Sequence, residues 1–180
     1  MSRDRQQEGY VSPAIIFQLH LALGYAPWLL LLSAYVFPRL RAMDRPQVQR
    51  AIAVLHSFRF FGLAFIMPGV VGPDLPSGFA IPAAYGDFAT GLLAMLALLS
   101  FRIRPLFWVL VAGFNVFGAA DIILGYIHGI QFGLPDVAGQ LGAAYAIPVI
   151  YVPLLMITHV VALGLLLRRE DRPAETLRTV

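Results

Sequence analysis

The sequence predicts an all-α integral membrane bundle of five transmembrane helices. Three observations carry this expectation. Of 180 residues, 59% are apolar and 13% charged, where a soluble domain runs nearer half and a quarter. The mean hydropathy is +0.75. Apolar stretches recur that, at about 1.5 Å of rise per residue, are long enough to cross a hydrocarbon core about 30 Å thick.

The first stretch runs from about Val11 to Phe37 and the second from about Ala51 to Val71. The third covers about Phe79 to Phe101, the fourth Leu106 to His128, and the fifth Ala143 to Leu167. Between them lie an arginine-rich loop (38–50), a Gly-Pro-Asp-Leu-Pro turn (72–78), a tight turn with proline near a helix start (102–105) and a Gly/Pro-containing loop (129–142). The organisation expected is a short outer tail over 1–10, one membrane domain over 11–167 and a cytoplasmic tail over 168–180. The first stretch is too long for a signal-peptide core and lacks a cleavage site after it, so it reads as a retained helix.

There is no lysine, and the 13 basic residues are all arginine. Arg39, Arg41, Arg45 and Arg50, then Arg102 and Arg104, then Arg168, Arg169, Arg172 and Arg178 fall on one side of five crossings. Arg3 and Arg5 fall on the other, offset by Asp4 and Glu8. The positive-inside rule then sets the N-terminus outside and the C-terminus in the cytoplasm. This composition argues against a nucleic-acid module and an ordinary cytosolic enzyme. With 0 cysteines, thiolate metal sites and thiol nucleophiles are excluded. No His-Glu-x-x-His, Gly-x-Ser-x-Gly or Gly-x-x-x-x-Gly-Lys run occurs.

An ionisable side chain at mid-membrane costs at least about 2.5–3.5 kcal/mol, so it is expected to face protein or water and to find a partner. His20, His56, Arg59, Asp87, Asn115, Asp121 and His159 lie inside the predicted spans, with His128 at a boundary. Arg59 and Asn115 fall about 3 Å to the cytoplasmic side of centre, and Asp87, His20 and Asp121 about 5–6 Å to the outer side. A long arginine can cover that offset, so Arg59 is expected to meet Asp87, Asp121 or both. A structural role, in which an ion pair only fixes helix register, is the plainer alternative. His56 and His159 also fall at matched depth, and His20 and His128 both fall on the outer side with His128 nearer the surface, two pairs that could serve as axial ligands of haem b. His20, Asp87 and Asp121 offer a three-ligand zinc set without a local signature.

The segments Arg59-Phe60-Phe61-Gly62, Phe79-Ala80-Ile81-Pro82-Ala83-Ala84-Tyr85-Gly86-Asp87 and Asn115-Val116-Phe117-Gly118-Ala119-Ala120-Asp121 resemble a loose set of uncharacterised bacterial multipass proteins. That set carries Arg-x-x-Gly, Phe-Ala-x-Pro-Ala-x-x-Gly-Asp and Asn-x-x-Gly-x-x-Asp. The resemblance implies a multi-pass protein of a bacterial inner membrane and implies no activity.

The function expected is binding or translocation of a proton, small cation or small polar ligand. Arg59 anchors the site, Asp87 and Asp121 accept protons or cations, Asn115 and Tyr85 donate hydrogen bonds, and His20 lies at similar depth. The alternatives are a bis-histidine haem electron carrier and a structural subunit of a membrane complex. The partners expected are the lipid bilayer, the small ligand and further membrane subunits or copies of the chain, with no nucleic acid.

Overall fold

The computed structural model describes residues 11–168. The expected outer tail and nearly all of the expected cytoplasmic tail lie outside the described residues. Helix α1 spans Pro13–Arg41, α2 Arg45–Ser57, α3 Ser77–Leu99, α4 Arg104–Gln131 and α5 Ile147–Leu167. Two 3₁₀ segments, Phe58–Ile66 and Leu134–Tyr145, complete the bundle.

Among the described residues, four helices are long and apolar enough to cross a membrane: α1, α3, α4 and α5. The expected second span, over 51–71, is not one continuous helix. It begins earlier, at Arg45, and changes from α to 3₁₀ geometry at Phe58. The buried residues follow the change of period. In the 3₁₀ segment these are Arg59, Gly62 and Phe65, each three residues from the next. A 3₁₀ helix has three residues per turn and lines up i, i+3 and i+6. At 3.6 residues per turn Arg59 and Phe65 would instead lie about 120° apart around the axis. The expected loop over 129–142 is also largely helical: α4 continues to Gln131, and the second 3₁₀ segment follows a left-handed Gly133 (φ 66°).

Large apolar side chains remain exposed on the long helices, including Leu30, Leu99, Val109 and Ile130. Surfaces of this kind need an apolar surrounding, and helices satisfy their own backbone polar groups in lipid. Helix α1 is the most peripheral, with 11% of its apolar window buried against 33% for the other three. It docks on α5 at a π-helical turn, Ile147–Tyr151, that ends two residues before Pro153. There the Trp28 indole donates to the Ile150 carbonyl at 2.7 Å. A Cβ on Gly24 would come within 2.1 Å of the Val149 carbonyl, so only glycine permits this approach.

The interior is layered. One apolar core gathers Phe17, Phe65, Phe79, Ala84, Leu141 and Ile147. A second gathers Val48, Ile52, Ala94, Phe107, Phe114 and Ala162. On α3 and α5 the buried polar residues fall between these two sets in sequence, as do His56 and Arg59 along α2 and its 3₁₀ extension, while Gln49 lies within the second set. At the end of the second core, Arg50 and Arg104 both flank the Phe101 ring, and Arg41, Arg45 and Arg168 line one groove. The arginine-bearing segments thus converge on a single end of the bundle.

At the opposite end, the 67–76 loop is tied to the second 3₁₀ segment. Gly72 N–H donates to the Gln140 carbonyl at 2.7 Å, and Ala143 N–H to the Val70 carbonyl at 3.0 Å. Gly142 sits in this seam at φ 53°, and a Cβ there would meet the Val70 carbonyl at 2.3 Å. A left-handed backbone costs an ordinary residue about 1–2 kcal/mol before any clash. Gly142→Ala is therefore expected to lower the thermal midpoint in detergent by several degrees, while Gly139→Ala, where a Cβ meets open space, leaves it unchanged.

Candidate functional site

The polar layer is built around one guanidinium. Arg59 is 1% exposed. Its Nε donates to Asp87 Oδ1 at 2.6 Å, and its Nη2 donates to Asp121 Oδ2 at 2.6 Å while also lying 2.6 Å from Asp87 Oδ1. Its Nη1 donates to the Gly118 carbonyl at 3.2 Å and to His159 Nε2 at 3.1 Å. Every nitrogen of the fork has a partner, as burial of this group requires. The elements involved are the first 3₁₀ segment, α3, α4 and α5.

The contact with His159 fixes a proton position. Arginine Nη1 only donates, so His159 Nε2 accepts and the ring proton sits on Nδ1. That Nδ1–H donates to Asn115 Oδ1 at 2.9 Å, and the Asn115 amide donates on to the Val111 carbonyl at 2.8 Å. His56 lies against His159 with ring centroids 4.0 Å apart. Thr158 spends its hydroxyl proton on the backbone of its own helix, at Leu154 or Leu155, so it accepts from His56 Nε2 at 3.0 Å. His56 Nδ1 is buried without a hydrogen-bond partner among the described residues.

Close approach of the helices to the guanidinium depends on glycine. A Cβ on Gly62 would sit 2.3 Å from Asp87, one on Gly86 1.7 Å from Asp121 Oδ1, and one on Gly118 2.7 Å from Arg59 Nη1. These glycines and their charged partners account for Arg59 and Gly62, the Gly86-Asp87 pair, and Gly118 and Asp121 of the three segments, while Asn115 joins through His159. Phe79 and Ala83 of the second segment line a cavity of about 200 Å³ that reaches the cluster. Phe17 and Leu21 of α1, Phe65, Ile122 and Tyr126 form its apolar walls, and Arg59, Asp87 and Asp121 its charged face. Asp121 has the more open carboxyl, with 15% of its side chain exposed against 9% for Asp87.

The residues singled out in the sequence separate into groups. Arg59, Asp87 and Asp121 come together. Asn115 is one step removed, touching His159 and not the cavity. His20 pairs through Nδ1 with the Tyr145 hydroxyl at 2.9 Å, away from the cluster. Tyr85 is 57% exposed and takes no part in it. His128 lies beside Phe132. Among the described residues, no group of three or more His, Asp or Glu is gathered so as to hold a metal ion. Sequence reasoning missed the arginine–His159 contact. The signal for it was depth, since His159 stands within an arginine's reach of Arg59, but the sequence matched His159 to His56 instead.

Removing one partner from a buried ion pair strands the others and costs about 3–5 kcal/mol. Arg59→Met is expected to destabilise the bundle by that order in a detergent unfolding assay. The triple change Arg59→Met/Asp87→Asn/Asp121→Asn is expected to regain most of the loss.

A family model matches residues 16–167. No curated protein and no solved structure matches the chain. Spanning most of the sequence, the match makes this chain a member of the family described as Domain of unknown function (DUF8737).

Proposed function

We propose that the protein is a membrane-embedded binding or translocation protein for a proton or small cation, with Asp121 as the acceptor. The observation that carries this is the charge count of the cluster. One guanidinium stands between two carboxylates, leaving one formal negative charge inside an apolar bundle. Such a site favours one further positive charge. Asp121 is where that charge is taken up, because it lines the cavity and is the more open of the two acids. Asp87 holds Arg59 in place through its doubly engaged Oδ1. The His159–Asn115 pair fixes the far side of the guanidinium.

In this reading the chain sits in a bacterial inner membrane with its arginine end in the cytoplasm, and the cavity opens toward the outer half. The convergence of Arg41, Arg45, Arg50, Arg104 and Arg168 at one end supports that orientation. The haem alternative asks for a different arrangement of the same residues. Axial ligands approach iron from opposite faces of a macrocycle. The His56 and His159 rings touch, with one nitrogen of His56 and both of His159 already hydrogen-bonded to protein. Purified protein expressed with ample haem is expected to show no Soret band.

The proposal is tested in proteoliposomes loaded with a pH-sensitive dye. Under an imposed potential, the wild-type chain is expected to conduct protons and Asp121→Asn to fall to the empty-liposome rate. Tyr85→Phe is expected to behave as wild type. Proton flux that survives in both Asp121→Asn and Asp87→Asn, with sodium uptake equally indifferent to them, overturns the reading.

A further inference from the structure

We propose that the arginine end of the bundle holds one anionic phospholipid, in a groove separate from the buried cluster. The groove has a volume of about 480 Å³ and lies between the C-terminal ends of α1 and α5. Leu40, Val161 and Gly164 contribute to its apolar walls, and Arg41, Arg45 and Arg168 stand around it. Arg41 ends α1, and Arg168 directly follows the last residue of α5. Three cations therefore stand at the level where two apolar helices stop, which is where a lipid phosphate lies.

The chemistry favours a lipid over a free anion. A phosphate ion needs only the cationic rim, whereas this groove continues down an apolar wall between the helices. A water takes roughly 30 Å³ in the liquid, so the space accommodates a glycerophosphate head and the first methylenes of a chain. At Gly164 an added Cβ would meet nothing within 4 Å, so the wall is open where an acyl chain passes. Val160 beside it is 63% exposed and joins the groove to the lipid-facing surface. Asp44 is the acidic residue in this loop, set against Arg39, Arg41 and Arg45, so among the described residues the rim is net positive, which selects against zwitterionic heads. Basic pockets between membrane helices bind anionic head groups in this way.

The test is retention of lipid by the purified full chain in an uncharged detergent, read by native mass spectrometry and thermal unfolding. Phosphatidylglycerol is expected to be retained at one per chain and to raise the thermal midpoint, with phosphatidylcholine and inorganic phosphate doing neither. The double change Arg41→Gln/Arg168→Gln alters exposed side chains and is expected to weaken retention about thirtyfold, from about 1 kcal/mol per arginine. Gly164→Leu fills the wall and is expected to abolish retention with the arginines intact. Equal retention of phosphatidylcholine, a matching shift with inorganic phosphate, or dimerisation through this face without lipid would overturn the proposal. So would a folded Arg41→Gln/Arg168→Gln protein that retains phosphatidylglycerol as wild type does, whatever Gly164→Leu does. Proton flux through Asp121 is independent of each of these results.

Discussion

A guanidinium buried among lipid-facing helices must have an acceptor for each of its nitrogens, and the interior of this protein is arranged to supply them. Arg59 draws on α3 through Asp87, on α4 through Asp121 and the Gly118 carbonyl, and on α5 through His159. Lipid offers no acceptor to repair a missing bond. Each of those helices is thereby held at a defined rotation and height. The two apolar cores on either side add burial, but apolar side chains in a hydrocarbon setting discriminate weakly between alternative registers. The polar layer supplies that discrimination.

The same requirement explains the local departures from regular helix. The first 3₁₀ segment lets Arg59, Gly62 and Phe65 share one inward line. Phe65 then stacks edge-on against Phe79 at 5.5 Å, which joins the polar layer to the apolar core beyond it. Gly62, Gly86 and Gly118 remove the side chains that would hold the backbones apart. Charged residue and neighbouring glycine form one device: the first supplies the attraction, and the second permits the distance at which it acts.

Much of this was legible in the sequence. The four long helices follow from hydropathy, and their observed bounds lie within a few residues of the expected ones. Burial cost alone pointed to Arg59, Asp87 and Asp121, because a charge inside a span has few places to go. Other features were not legible, for identifiable reasons. The stretch after Ala51 is apolar enough to look like a fifth membrane helix, but composition does not distinguish 3.0 from 3.6 residues per turn. His159 seemed matched to His56 by depth alone. Its ring stands beside that partner, but its nitrogens serve Arg59 and Asn115. Tyr85 shares a segment with Asp87 yet points away, since neighbours at i and i+2 on a helix do not share a face.

The three-residue period from Arg59 to Phe65 also sets which kinds of genetic change the protein can absorb. Substitution at the outward positions, such as Phe60 or Phe61, leaves the inward line untouched. Insertion or deletion of a single residue within the segment does not, because each residue advances a 3₁₀ helix by a third of a circle. Either event would swing Phe65 off its ring partner or carry Arg59 away from its acids. Length between those two residues is thus constrained more tightly than identity, and a reading-frame-preserving indel here is expected to be more damaging than most point changes around it.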